Sequence, residues 1–215
     1  NMFASVAETA TNLADDPHTF TIAASYDDGS TVQPVPDGST VQYLWTGTGT
    51  ATPSTSCTTA GGSCDVVVTS ADTGVGTIEV LNVTIAIDGE TFDMITPEAT
   101  VGMSLTAEKT WVDYRISVTP PNDQNLVDND HLFTVLVERD AGDGFVPFEG
   151  AMPTIDLAGV GSIADETCSD GTIADGTCTI IGISEVPGDM AVTATLVAQE
   201  AGPAMLTISD TGDKL

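Results

Sequence analysis

The residues of this chain that could do chemistry are its carboxylates, its cysteines and its histidines. Asp and Glu number 32 against 4 Lys and Arg, which gives a formal net charge of −28 at pH 7. Carboxylates are the ligands that Ca²⁺ prefers, paired cysteines form disulfides or hold zinc, and histidine can transfer protons or bind a metal. The secondary-structure elements that bring these residues together decide which of these chemistries is possible.

The two histidines lie at matching points of an internal repeat. His18 stands in "TNLADDPHTFTI" and His131 in "QNLVDNDHLFTV", 113 residues apart. Five further pairs agree at the same spacing: Asn12 and Asn125, Leu13 and Leu126, Asp15 and Asp128, Phe20 and Phe133, Thr21 and Thr134. The repeat predicts two copies of one module, residues 1–108 and 109–215. Because each histidine belongs to a different copy, we expect both to be structural residues at strand starts, not a catalytic or metal-binding pair.

Strand patterns dominate both copies. Alternating or β-branched runs such as "HTFTIAAS", "STVQYLWTG", "CDVVVTS", "GTIEVLNVTIAI" and "ETFDMIT", then "YRISVTP", "HLFTVLVER", "CTIIGIS" and "MAVTATLVA", are separated by turn signals such as "DDGS", "PDGS" and "VPGD". No segment has a helical period of useful length. We therefore predict an all-β fold of two tandem immunoglobulin-like β-sandwiches, in which Trp45 is a core residue.

The cysteines form two local pairs, one in each module: Cys57 with Cys64, and Cys168 with Cys178. Each pair brackets a Gly-rich turn, so two disulfide-linked hairpins are predicted. Zinc is the alternative, but the spacings are wider than in zinc knuckles and no histidine follows at ligand distance. Disulfides indicate an oxidising place, outside the cell or on its surface.

The few basic residues are unevenly distributed along the sequence. The basic residues are Lys109, Arg115, Arg139 and Lys214, so the first 108 residues contain none. The carboxylates there must be neutralised by water, counterions or divalent metal. Nucleic acid and anionic membranes are poor partners for such a surface, and no apolar run approaches the roughly 20 residues that span a bilayer. Solubility in a salty environment and specific calcium sites both explain the composition.

Two pairs of segments, one pair in each module, carry a family resemblance. "DDGSTVQPVPDGSTVQYLWTGTGT" with "CTTAGGSCDVVVTSADTGVGTIEV", and "DAGDGFVPFEG" with "SDGTIADGTCTIIGISEVPGDMAVTATL", resemble the bacterial Ig-like domains of the invasin and intimin type, which occur in tandem in surface adhesins. The resemblance implies a rod-like spacer or adhesion module, whose partners would be neighbouring Ig-like modules, like subunits, or a host, cell or surface ligand. The flanking cysteines and the acidity depart from the family pattern and leave the ligand open.

Acidic loops predict a structural Ca²⁺ site where the modules join. With ordinary Ig connectivity, the loop after the first strand, the linker and the "RDAGDG" loop meet at one pole, and Ca²⁺ takes about six to eight oxygen ligands. The candidate ligands are Asp15, Asp16, Glu108, Asp113, Asp140 and Asp143. Solvated acidic loops are the alternative interpretation.

Trp111 lies at the predicted boundary between the modules. We consider three roles for it: an apolar plug between modules, a core residue of the second sandwich, or an exposed contact.

No motif for nucleophilic, phosphate or glycosidase chemistry is present, so an enzyme is not expected. By the repeat, Asn1 corresponds to Tyr114, so the first strand starts partway along its length. An extracellular filament, in which a strand of one chain completes the sandwich of the next, is therefore the alternative function.

Overall fold

The computed structural model describes residues 1–6, 9–87, 90–94, 97–99 and 104–214. The chain divides into two compact units, Asn1–Val112 with Glu200–Pro203, and Asp113–Gln199 with Ala204–Leu215. We refer to them as the first and second unit. The predicted boundary lay between residues 108 and 109, whereas this division lies after Val112. Lys109 and Trp111 therefore belong to the first unit.

The described residues of the first unit contain the starts of twelve strands, in chain order: β1 (Met2–Val6), β2 (Ala10–Leu13), β3 (His18–Asp27), β4 (Val32–Pro34), β5 (Thr40–Gly47), β6 (Thr50–Thr52), β7 (Ser56–Thr58), β8 (Ser63–Thr69), β9 (Gly74–Ile87), β10 (Glu90–Met94), β11 (Glu98–Ala99) and β12 (Thr106–Thr119). One sheet has the order β11-β1-β3-β8-β6, with β4 beside β3. The other has the order β12-β9-β5-β7, with β10 beside β9 and β2 parallel to β12. The predicted strand "ETFDMIT" is β10 as far as Met94, and its last two residues lie outside the described residues.

The second unit begins at Asp113, within β12. Its further elements are β13 (Asn122–Asp123), β14 (His131–Asp140), β15 (Val146–Pro147), β16 (Thr154–Gly159), β17 (Ser162–Glu166), one turn of 3-10 helix (Cys168–Asp170), β18 (Thr177–Ile183), β19 (Met190–Gln199) and β20 (Met205–Lys214). Its sheets have the orders β17-β18-β14-β12 and β13-β20-β19-β16. As in the first unit, a short early strand runs parallel to the last one, here β13 beside β20.

Each unit is an immunoglobulin-like β-sandwich, as the strand pattern predicts. In the first unit, alternation along β3 and β8 turns Phe20, Ile22 and Val66 inward, where all three are fully buried. They belong to one apolar core with Val41 of β5 and Ile78 of β9, which lie in the opposite sheet. Burial of such large apolar side chains is the main favourable term for folding.

The second unit is filled in the same way. Phe133 of β14 and Ile180 of β18 are fully buried and are register partners. A Cβ on Gly212 of β20 would lie 2.9 Å from Phe133 Cδ1 and 2.8 Å from Val118 Cγ1, so the two sheets approach closely at this glycine. The close approach explains why a residue without a side chain occupies this position.

Both predicted disulfides are present, but neither joins the two strands of a hairpin. Cys57 in β7 and Cys64 in β8 lie in different sheets of the first unit, so their bond links the two layers. Cys168 lies in the 3-10 turn and is bonded to Cys178 of β18. The hairpin prediction is wrong for the first pair, because the chain passes from one sheet to the other between Cys57 and Cys64. For the second pair, β17 and β18 do form an antiparallel hairpin, and Cys168 lies in the connection between them.

In the described ranges there is no helix with the length and hydropathy of a membrane span.

Candidate functional site: a buried lysine beside a repeated loop

The loop before β3 in the first unit has the same geometry as the loop before β14 in the second unit. In the first unit, Asn12 Nδ2 donates to the carbonyl oxygen of Pro17 at 3.2 Å. In the second, Asn125 Nδ2 donates to the carbonyl oxygen of Asp130 at 2.8 Å. Each asparagine thus closes its own loop across five residues, which is a common structural use of this side chain.

The backbones of the two loops match as well. Asp15 and Asp128 have φ angles of 66° and 64°, a left-handed conformation that few residues other than glycine adopt. The Asp15 amide donates to the carbonyl oxygen of Ser70 at 2.7 Å, and the Asp128 amide donates to that of Ser184 at 2.9 Å. The repeat is therefore a repeat of structure down to single hydrogen bonds.

The histidines follow the loops in the predicted structural role. His18 and His131 are the first residues of β3 and β14. Their rings stand edge-on to Phe20 and Phe133, with centroid separations of 4.6 and 4.4 Å. Edge-to-face contacts of this kind stabilise aromatic cores, so both residues are part of the packing.

Lys109 is the feature that sequence reasoning missed. It is the only Lys or Arg of the first unit, and its exposed fraction is 0 %. Its Nζ donates a hydrogen bond to Asn12 Oδ1. The contact follows from strand pairing, because β2 and β12 are parallel, with Lys109 opposite Ala10 and Trp111 opposite Asn12.

Carboxylates partly balance the buried ammonium. Asp16, with 4 % of its surface exposed, and Glu200 both act to raise the pKa of Lys109. Desolvation outweighs them and lowers that pKa from 10.5 to about 8, since burial disfavours the charged form of an amine. A substantial fraction of Lys109 is therefore a neutral amine near pH 8.

The neighbouring histidine experiences the same surroundings. Burial, together with the Lys109 charge, lowers the pKa of His18 below 6.5, while the Asp16 carboxylate opposes the change. His18 Nε2 is buried and makes no hydrogen bond within the described part of the chain. These surroundings therefore favour the neutral form of the imidazole.

Three of the predicted calcium ligands belong to the first unit. Asp15 is exposed in the loop and Glu108 is exposed on β12, whereas Asp16 is buried beside Lys109. Trp111 Nε1 donates a hydrogen bond to the Asp16 carbonyl oxygen at 3.1 Å, which ties the Asp16 backbone to a fully buried residue. Its carboxylate interacts electrostatically with the Lys109 ammonium.

The other three belong to the second unit. Asp113 and Asp140 are register partners on β12 and β14, and Asp143 is exposed in the loop that follows. Asp140 Oδ1 accepts hydrogen bonds from the amides of Gly142 and Gly144, at 2.7 and 3.0 Å. Among the residues with described positions, no group of three or more His, Cys, Asp or Glu has the arrangement of a metal site. Calcium binding stays a prediction.

Trp111 has none of the three roles considered from the sequence. It is fully buried in the core of the first sandwich, edge-on to Trp45 with a centroid separation of 6.1 Å. The alternation along β12 carried the signal for this and for Lys109. Ala107, Lys109 and Trp111 are buried, while Glu108 is exposed between them, as the two-residue period of a strand requires.

No family model and no curated protein matches the chain. Several solved structures are similar to it at low identity. The D0-D1 domain of intimin is 15% identical, with a TM-score of 0.32, over 100% of this chain and 97% of that one. The D00-D0 domain of intimin is 9% identical, with a TM-score of 0.47, over 100% of both chains. Invasin, described as a bacterial integrin-binding protein, is 17% identical, with a TM-score of 0.31, over 99% of this chain and 39% of that one.

Proposed function

We propose that this chain is a non-enzymatic segment of a modular extracellular surface protein, in which it acts as a spacer or adhesion module. The observation that carries the proposal is the repetition of one sandwich with equivalent loop hydrogen bonds, Asp15 to Ser70 and Asp128 to Ser184. Repeated units of this kind extend a chain by adding length without adding new chemistry. The motif resemblance to tandem adhesin domains supports the same function.

The covalent structure supports an extracellular location. Each unit contains its own disulfide, Cys57–Cys64 or Cys168–Cys178. Disulfides persist in oxidising compartments and are reduced in the cytosol. An acidic surface with a formal net charge of −28 keeps such a segment soluble and discourages association with other anionic surfaces.

Surface labelling tests the proposal. An antibody raised against the segment is applied to intact and to lysed cells that make the parent protein, with a cytosolic protein as the lysis control. We expect equal labelling of both samples. Labelling that appears only after lysis would reject the extracellular location and, with it, the adhesive function.

A filament subunit is the alternative proposal. It requires a strand position that another chain can fill, yet β1 pairs with β3 over five residues, and Met2, Ala4 and Val6 of β1 are buried. Strand exchange would therefore have to displace β1 or use a sheet edge such as β16. Sedimentation over a range of concentrations separates the functions, because a spacer stays monomeric and a filament subunit polymerises.

Calcium stiffening is the finer part of the proposal. The ligands would be drawn from Asp15, Asp16, Glu108, Asp113, Asp140 and Asp143. A ligand that binds only the folded state raises the melting temperature, so removal of bound Ca²⁺ by a chelator should lower it and added Ca²⁺ should restore it. A melting curve that is unchanged by both treatments would reject calcium binding.

A further inference from the structure

Lys109 and Asn12 form a side-chain pair that the proposed function does not use. Both are buried, with 0 % and 1 % of their surfaces exposed, and the Lys109 ammonium contacts the Asn12 amide oxygen. Their strands are adjacent and parallel, with the register Lys109 to Ala10 and Trp111 to Asn12. The backbone therefore holds the amine against the carboxamide before any reaction occurs.

Asp16 completes the cluster. A Cβ on Gly202 would lie 1.7 Å from Asp16 Oδ2 and 2.6 Å from Asn12 Nδ2. Because both atoms adjoin this one point, the carboxyl oxygen lies close to the amide nitrogen. Trp111 Nε1 holds the Asp16 backbone by its hydrogen bond to the carbonyl oxygen. Amine, carboxamide and carboxyl group are thus collected in one water-poor place.

We propose that Lys109 and Asn12 join in an intramolecular isopeptide bond, with Asp16 as the group that transfers the protons. Asp16 first takes a proton from the Lys109 ammonium. The neutral Nζ then attacks Asn12 Cγ, and Asp16 gives that proton to the amide oxygen as the tetrahedral intermediate forms. The attacking nitrogen then passes a proton through Asp16 to Nδ2. As the C=O bond re-forms, the hydroxyl returns its proton to Asp16 and Nδ2 leaves as ammonia. One C–N bond forms, one C–N bond breaks, and no oxidant or cofactor is consumed.

The surroundings favour each part of this reaction. Burial lowers the pKa of Lys109 to about 8, so the nucleophilic form of the amine is accessible. Fixed neighbouring groups reach effective concentrations far above those of free reactants. The product is a neutral amide, which removes the cost of keeping an ammonium ion away from water.

A non-covalent hydrogen bond between the same residues is the competing explanation. Asn125 in the second unit closes its loop as Asn12 does, so the loop alone accounts for the asparagine. The loop does not explain why Lys109 is buried against that asparagine. By register, the second unit has an equivalent lysine, since Lys214 lies opposite Asp123 as Lys109 lies opposite Ala10. Asn129, however, stands where the first loop has Asp16.

Mass spectrometry of the full chain tests the bond. After reduction of the disulfides, the intact protein should be lighter than its sequence mass by one molecule of ammonia. The tryptic pattern identifies where the ammonia was lost, because trypsin needs a free lysine side chain. The first 108 residues contain no Lys or Arg, so an unmodified chain yields an N-terminal peptide that ends at Lys109. The bonded chain should instead yield one that ends at Arg115.

Two variants complete the experiment. Asp16→Asn gives the first loop the residue that the second loop already has, so it should fold, keep the full sequence mass and release the peptide that ends at Lys109. Asn125→Ala, the matched control in the other unit, should lose ammonia as the parent protein does. A parent protein of full mass that is cleaved at Lys109 would overturn the proposal. A bond that still forms in Asp16→Asn would overturn the role of Asp16.

Discussion

Asp16 and Asn129 occupy the same position of the repeated loop with the same backbone contact. The Asp16 amide donates to the carbonyl oxygen of Leu13 at 3.1 Å, and the Asn129 amide donates to that of Leu126 at 3.3 Å. The side chains differ in one respect that matters for the reaction, because a carboxyl group can accept and donate a proton and an amide cannot. The chemistry proposed for the buried lysine is therefore confined to the first unit.

The Asp16→Asn exchange should destabilise the first unit. The bond between Asn12 and Lys109 spans 97 residues, and a crosslink of that span contributes about 4 to 5 kcal/mol on the loop-closure model. Urea unfolding should show a loss of this order, part of it from the Asp16 contacts themselves. Asn125→Ala removes only a loop hydrogen bond and should cost about 1 kcal/mol. Equal losses in the two variants would argue against a crosslink.

Each disulfide should stabilise only its own unit. The bonds join residues 7 and 10 positions apart, for which the loop-closure model gives about 2.5 to 3 kcal/mol. We expect two calorimetric transitions, one for each unit. Replacement of Cys57 and Cys64 by Ser should lower the melting temperature of the first unit's transition. Replacement of Cys168 and Cys178 should lower the other. If either double variant shifted both transitions equally, the two units would not be separate folding entities.

Trp111→Ala should cost about 3 to 5 kcal/mol of unfolding free energy, because it opens a large cavity in a packed core. Trp111→Phe keeps an aromatic ring against Trp45 but removes the hydrogen bond to the Asp16 carbonyl oxygen. We expect the Phe variant to lose less stability than the Ala variant, as measured by urea unfolding. An Ala variant as stable as the parent would contradict the placement of Trp111 in the core.

The stability of the first unit should fall in acid partly through His18. Burial holds the folded-state pKa of His18 below 6.5, so the unfolded chain takes up a proton at higher pH than the folded protein does. The stability that neutral His18 contributes is therefore present above about pH 6.5 and is lost as the pH falls through the folded pKa. In urea midpoints measured from pH 8 to 5, His18→Gln should reduce the slope. An unchanged slope would reject this role.

The strands with clear alternation could be predicted from the sequence. "HTFTIAAS" corresponds to β3 and "HLFTVLVER" to β14, because one face of each strand is buried and the other exposed. β16 and β17 were missed, since they lie at sheet edges and have no fully buried side chain. An edge strand takes its structure from one neighbour, which leaves little periodicity in its own residues.

The site was harder to predict than the fold. The parallel pairing of β2 with β12 brings Asn12 to Lys109 across 97 residues, and no local pattern encodes such a pairing. The buried side of β12 could have been read from its alternation. Its sole lysine was not recognised as a buried residue, because the predicted boundary between residues 108 and 109 separated Lys109 from the first module.

Single-molecule extension of the intact chain, held by its two ends, tests most directly whether the first unit is closed by a covalent bond between Asn12 and Lys109. If Asn12 and Lys109 are joined, force bypasses the chain between these two positions, which are 97 residues apart, and only the second unit should lengthen. The Asp16→Asn variant should show an additional unfolding step of about 340 Å, at roughly 3.5 Å per residue, less the part held by the Cys57–Cys64 disulfide. A parent chain that shows this additional step would contradict the account.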